Sequence, residues 1–192
     1  MKKGVFVTIF LGIIIFLLSL KFNINPLYAI GDEIDELDGV VVYYNGPISN
    51  VGDRKVLKGY NVGLEFQCVE FVKRYYYEIY HHKMQNSYGH AKSFFIKGLK
   101  DGSYNSERDL TQFSNGSFSM PQQGDLVIFD ASFFNSYGHV AIISNVTENS
   151  VEIIQQNPGQ FSPSRKSYSI QYSKEKRWTF YSSRILGWLR KS

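Results

Sequence analysis

Gly138-His139-Val140-Ala141-Ile142-Ile143-Ser144 and Val151-Glu152-Ile153-Ile154-Gln155-Gln156-Asn157 flank the polar cluster Thr147-Glu148-Asn149-Ser150. Short runs rich in β-branched residues on either side of turn formers predict a β-hairpin. A five-residue loop from Val146 to Ser150 would pair Ile143 with Ile153, Ile142 with Ile154 and Ser144 with Glu152. His139 would then face Asn157, with Gln155 a diagonal neighbour on the same face. An even-length loop would bring Gln156 to that place instead, because a slip of one residue turns every side chain to the other face. Strand alternation points Glu152 away from Ile153, Gln155 and Asn157, which makes it a surface residue. A histidine held beside a side-chain amide is the base-and-orienter half of a nucleophilic site.

A candidate for the other half lies upstream. Phe66, Val69, Val72, Tyr76 and Ile79 recur at three- and four-residue spacing, which predicts an amphipathic helix with Cys68 near its N-terminal end. Cys68 is the chain's single cysteine, so an internal disulfide or a cysteine-rich zinc module is excluded. Such a thiol is either inert packing or a nucleophile. A helix N-terminus favours the anion and, beside an imidazole, could bring the thiol below its free value of roughly 8.5. The pair could then rest as thiolate and imidazolium.

Four segments, Gln67-Cys68-Val69-Glu70-Phe71, Gly124-Asp125-Leu126-Val127-Ile128-Phe129, Gly138-His139-Val140-Ala141-Ile142-Ile143 and Gln155-Gln156-Asn157, occur in this order. Together they resemble the CHAP family of cysteine, histidine-dependent amidohydrolases and peptidases. The resemblance runs from about Gly39 to Ile185-Leu186-Gly187-Trp188, and in motif detail it is most similar to glutathionylspermidine amidase domains. It implies a nucleophile at Cys68, a general base at His139 and the family asparagine at Asn157. Gln155 stands where many members carry a glutamate that orients the histidine. An amide can hold the ring but adds no charge, so reduced rather than abolished activity is expected. Gln67 is expected to help the Cys68 backbone N–H form an oxyanion hole. No cofactor and no metal is implied.

The resemblance also implies a papain-like α+β fold, with N-terminal helices packed on a mostly antiparallel sheet. The pattern of residues agrees with α+β: an early strand at Gly39–Tyr44, the Cys68 helix, a second short helix over Gly89–Phe95, then strands from Leu126 onward. Asp101 to Gly116 reads as a polar loop.

Residues 1–30 read as a signal peptide or signal anchor and 31–192 as one domain. Met1-Lys2-Lys3 precedes an uncharged apolar run from Gly4 to Leu20, followed by Lys21. That run is long for a signal-peptide core and at the short limit of a membrane span. Leu27-Tyr28-Ala29 is a weak cleavage motif. The charge bias predicts a domain outside the cytoplasm, either anchored through 4–20 or secreted. Three of the 21 basic residues fall in this leader, which leaves 18 against 17 acidic and reduces the net charge from +4 to +1. A nearly neutral domain with no phosphate loop, zinc spacing or basic nucleic-acid module excludes nucleic acid as an expected partner. The expected substrate is a peptide-type amide, either in cell-wall peptidoglycan or in a glutathionylspermidine-like molecule. The competing expectation is a catalytically silent wall-binding module.

Overall fold

Leu126-Val127-Ile128-Phe129 and Val140-Ala141-Ile142-Ile143 are apolar at odd and even positions alike, so the sheet they build must be covered on both faces. The computed structural model describes residues 2–19, 21–47, 49–133 and 135–191, without side chains at 2–7 and 16. Its elements are α1 (Lys2–Ser19), β1 (Glu33–Leu37), β2 (Val40–Tyr43), β3 (Arg54–Leu57), β4 (Tyr60–Leu64), α2 (Cys68–Tyr80), β5 (Ser103–Asn105), β6 (Leu110–Ser114), β7 (Leu126–Phe129), β8 (His139–Val146), β9 (Ser150–Ile154), β10 (Arg165–Tyr172), β11 (Trp178–Phe180) and β12 (Ile185–Arg190). The main sheet has the order β11-β10-β9-β8-β7-β12-β6-β5, and β1-β2 and β3-β4 are separate hairpins. Every pairing is antiparallel.

Alternation divides the interior into two cores. Leu126, Ile128, Val140, Ile142, Ile154 and Leu189 face α2, whose Phe71, Val72, Tyr75 and Tyr76 are fully buried against them. Val127, Phe129, Ala141, Ile143, Ile153 and Trp188 face the other way. The second core is enclosed because the sheet curls on itself. The segment after β6 bonds to β11 through Gly116 N–H to Trp178 O at 2.9 Å and Trp178 N–H to Ser117 O at 2.7 Å. The curl needs a close approach at Gly187, beside a bulge in β12, where an added Cβ would stand 2.0 Å from Phe113 O.

The α+β class with a mostly antiparallel sheet is as expected; several details differ. Two hairpins precede α2, so helices do not simply come first. The expected second helix is a short 3-10 turn, Ala91–Phe94. The expected polar loop 101–116 carries β5 and β6, because Leu110 and Gln112 point inward and Gln112 is buried against Asn105 and the Ile96 backbone. Buried amides conceal a strand from a hydropathy reading. The hairpin pairs Ile142 with Ile154 and Ile143 with Ile153 as read, but a bulge at Ser144 then sets Asn145 opposite Glu152.

Met1 and Leu20, at the ends of the charged and apolar leader, lie outside the described residues. Among the described residues no helix is long and apolar enough to cross a membrane, so the expected span over 4–20 gains no support. After α1 the chain is tied down by Gln160. Its side chain accepts from Ile24 N–H at 2.8 Å and donates to Phe22 O at 2.7 Å. Ala29, the expected cleavage point, sits in an exposed turn closed by Asp32.

Candidate active site

Cys68 is the first residue of α2, and Phe66 before it takes a left-handed φ of 60° that turns the chain into the helix. The thiol is partly buried against the first core. Backbone N–H groups of Val140 and Val69 are directed at its sulfur. Val140 follows His139, so the start of β8 lies against the N-terminus of α2. Gly138, just before it, lets the start of β8 lie close to β7 and to the 3-10 turn at Lys92. It has φ 74°, and a Cβ there would stand 2.5 Å from Phe129 O and 2.8 Å from Lys92 Cβ.

The imidazole is held by Gln155, not by Asn157. His139 Nε2 lies 3.0 Å from Gln155 Oε1, and Gln155 Nε2 donates to Pro163 O at 3.1 Å. A carbonyl only accepts, so Pro163 fixes the amide with its oxygen toward the ring. Nε2 must therefore carry the hydrogen, which leaves Nδ1 with a free lone pair. This is the tautomer a base needs. The expected His139–Asn157 contact is not formed. β9 ends at Ile154, and Asn157 lies beyond it with a left-handed φ of 56°. There its Nδ2 donates to Gln67 Oε1 at 2.8 Å.

Gln67 is fully engaged. Its Nε2 donates to Asn50 O at 2.6 Å and to Asn45 Oδ1 at 3.4 Å, so neither amide hydrogen is free for an oxyanion. Backbone N–H groups of Val140, Val69 and Cys68 lie beside the sulfur. Glu152 bonds Ser144 and Arg165 away from the histidine, as alternation required.

Sequence reasoning missed the support beneath the nucleophile. Gln156 is fully buried and donates to Gln67 O at 3.0 Å and Glu70 Oε2 at 2.9 Å while accepting from Tyr43 N–H at 2.8 Å. Glu70 is itself buried and paired with Arg74 at 2.6 Å. The signal was the run Gln155-Gln156-Asn157, in which the middle residue faces the opposite side from its neighbours. The role of Pro163 O had no sequence signal, since any residue supplies a carbonyl.

Burial pushes the Cys68 thiol up to about 11, against the pull of the Val140 and Val69 N–H groups. Burial also lowers His139 to about 4, with Gln155 opposing and the Arg184 charge reinforcing. The resting pair is therefore neutral, in contrast to the ion pair expected from the helix N-terminus. Desolvation outweighs the dipole here. The imidazole enters a reaction as a free base.

This arrangement gives an expected result for Gln155→Glu. The carboxylate should raise the histidine pKa toward neutrality, so turnover at pH 7 should rise modestly and the acid limb of the pH–rate profile should move up from about 4. The same change sets a carboxylate oxygen against Pro163 O and should cost about 1 kcal/mol of stability. An unchanged pH profile would show that residue 155 does not act on the ring. In the parent protein the unfolded histidine, at 6.5, takes up a proton before the folded one does. Its contribution to stability is thus complete above about 6.5 and is lost as pH falls toward about 4.

A family model described as CHAP domain matches residues 58–157, just over half of the chain and the stretch containing Gln67, Cys68, His139, Gln155 and Asn157. The chain belongs to the CHAP domain family. Trypanothione synthetase of Crithidia fasciculata is 29% identical over 120 residues, 62% of this chain and 18% of that protein. The bifunctional glutathionylspermidine synthetase/amidase of Escherichia coli (strain K12) is 33% identical over 97 residues, 50% of this chain and 16% of that protein. The chain thus spans less than a fifth of the length of these relatives. Among solved structures, Ly7917 is 21% identical with a TM-score of 0.40, covering 73% of this chain and 55% of that one. Ly7917 with the hydrolyzing product of MDP gives 20% and 0.41, covering 66% and 53%. TM-scores of this size do not establish a shared fold. In this CHAP domain the main sheet continues past the matched region, through β10, β11 and β12.

Among the described residues no cluster of His, Cys, Asp and Glu could hold a metal ion. The groups that the fold brings to the site are a thiol, an imidazole and backbone donors.

Proposed function

We propose that this CHAP domain hydrolyses a peptide-type amide by covalent catalysis at Cys68. The observation that carries the reading is the Pro163–Gln155–His139 relay, which leaves Nδ1 unprotonated at the start of β8, beside the N-terminus of α2. In this mechanism the Cys68 proton passes to Nδ1 as sulfur adds to the amide carbonyl. Imidazolium then protonates the departing nitrogen, the C–N bond breaks and a thioester remains. Water, deprotonated by the same imidazole, adds to the thioester and releases the acid and the thiol. The Cys68 N–H is a candidate donor to the oxyanion.

Family membership and the amidase named among the relatives support amide hydrolysis. The Met1-Lys2-Lys3 cluster and the apolar run behind it support a domain exported to the wall, anchored or released. A silent wall-binding module is the second reading. It is favoured by the neutral resting pair, which makes the free thiol a poor nucleophile. Incubating the full chain with cell-wall muropeptides and, separately, with glutathionylspermidine, followed by mass spectrometry, tests the proposal. New amino termini or free spermidine support hydrolysis. Binding of muropeptides with no product from either substrate supports the silent module.

A further inference from the structure

The proton removed from Cys68 is returned by His139 to the leaving nitrogen, so the leaving group must lie on the imidazole side of the sulfur. That side is cationic. His139 pairs with Phe129, and the next residue of that strand edge, Asp130, is bonded by Lys97 and Arg184 and feels the charge of Lys92. The Arg184 backbone carbonyl accepts the Asp130 N–H at 2.8 Å, and its guanidinium donates through Nη2 to Asp130 O at 3.3 Å. Lys97 Nζ is 3.2 Å from Asp130 Oδ2. Lys92 donates its backbone N–H to Tyr137 O at 3.0 Å and packs its Cβ where Gly138 leaves space. Three cations thus gather about one acidic residue near the start of β8, and one of them, Arg184, acts on the catalytic base itself. All three basic side chains are exposed.

Resting on the amide-hydrolase reading above, we infer that Lys92 and Arg184 form a leaving-group subsite that selects amines carrying a carboxylate, such as an amino acid or peptide, over polyamines. A polyamine leaving group brings like charge into the rim and is repelled. A carboxylate is attracted, and it has a second effect. By neutralising Arg184 it removes one of the influences that hold the imidazole acidic, so the bound substrate strengthens its own base. The subsite therefore favours a peptide bond over a glutathionylspermidine-like amide.

The test uses the full chain and three synthetic amides with one shared N-acetylglycyl group, whose leaving amines are alanine, alaninamide and cadaverine. The parent protein is expected to show kcat/KM about tenfold higher for the alanine amide than for the alaninamide one, and about tenfold lower for the cadaverine amide. The spread should shrink as salt is raised. In the double variant Lys92→Gln, Arg184→Gln the ratio of alanine to cadaverine amide should fall about tenfold. Both side chains are exposed, so circular dichroism should report an unchanged fold. Equal hydrolysis of all three amides, a preference for cadaverine, or an unchanged ratio in the variant would overturn the subsite while leaving amide hydrolysis intact. Hydrolysis of none would overturn both.

Discussion

Cys68→Ala is expected to lower amide hydrolysis by roughly 10^4-fold or more, with far-ultraviolet circular dichroism unchanged. The thiol supplies the atom that bonds to the carbonyl, and no other cysteine can replace it. The structural loss is small. One partly buried sulfur at the edge of the first core should cost about 1 kcal/mol, a few degrees of unfolding temperature. Rates measured on the amide the parent enzyme cleaves fastest, together with a thermal melt, separate loss of chemistry from loss of fold. Retained turnover in a folded variant would remove Cys68 from the mechanism.

Arg74→Ala is expected to lower stability by about 3 kcal/mol, because the buried Glu70 carboxylate loses its closest cationic partner. Arg74 pairs with Glu70 at 2.6 Å and donates to Val41 O at 2.8 Å, joining α2 to β2. Lys55 also pairs with Glu70, at 3.5 Å, but it is partly exposed and would compensate the buried charge only in part. A drop in unfolding temperature of roughly 10 °C should follow. The double variant Glu70→Met, Arg74→Met removes both charges and should recover much of the stability. It should not recover activity, because Gln156 loses an acceptor and Gln67, which leads into Cys68, is held less firmly. Full activity in the double variant would show that this network supports the fold alone. Thermal melts paired with rates distinguish the two.

The elements that could be read from sequence were those whose period is written in apolar residues. α2 repeats Val69, Val72 and Tyr76, and β7 and β8 are apolar at successive positions. The register of the hairpin was right where apolar residues pair and failed at Ser144, since a bulge carries no hydropathy signature. β6 was missed for a related reason: Gln112 is buried by satisfying backbone groups, which composition cannot reveal. Within the site, motif order brought Cys68, His139 and Gln155 to attention. The hairpin register set the imidazole opposite Asn157, whereas the end of β9 sends Asn157 to Gln67 and leaves the ring to Gln155. The neutral resting state of the thiol and imidazole depends on burial, a property of the assembled core rather than of any segment.

Covalent catalysis at Cys68 is tested most directly by intact-protein mass spectrometry after rapid acid quench of the full chain mixed with its amide substrate, followed by peptide mapping. The account predicts a transient increase equal to the acyl group, mapped to Cys68, absent in Cys68→Ala and formed more slowly in His139→Ala. Steady product release by a protein that never carries an acyl group at Cys68, at any quench time and with Cys68→Ala equally active, would contradict it.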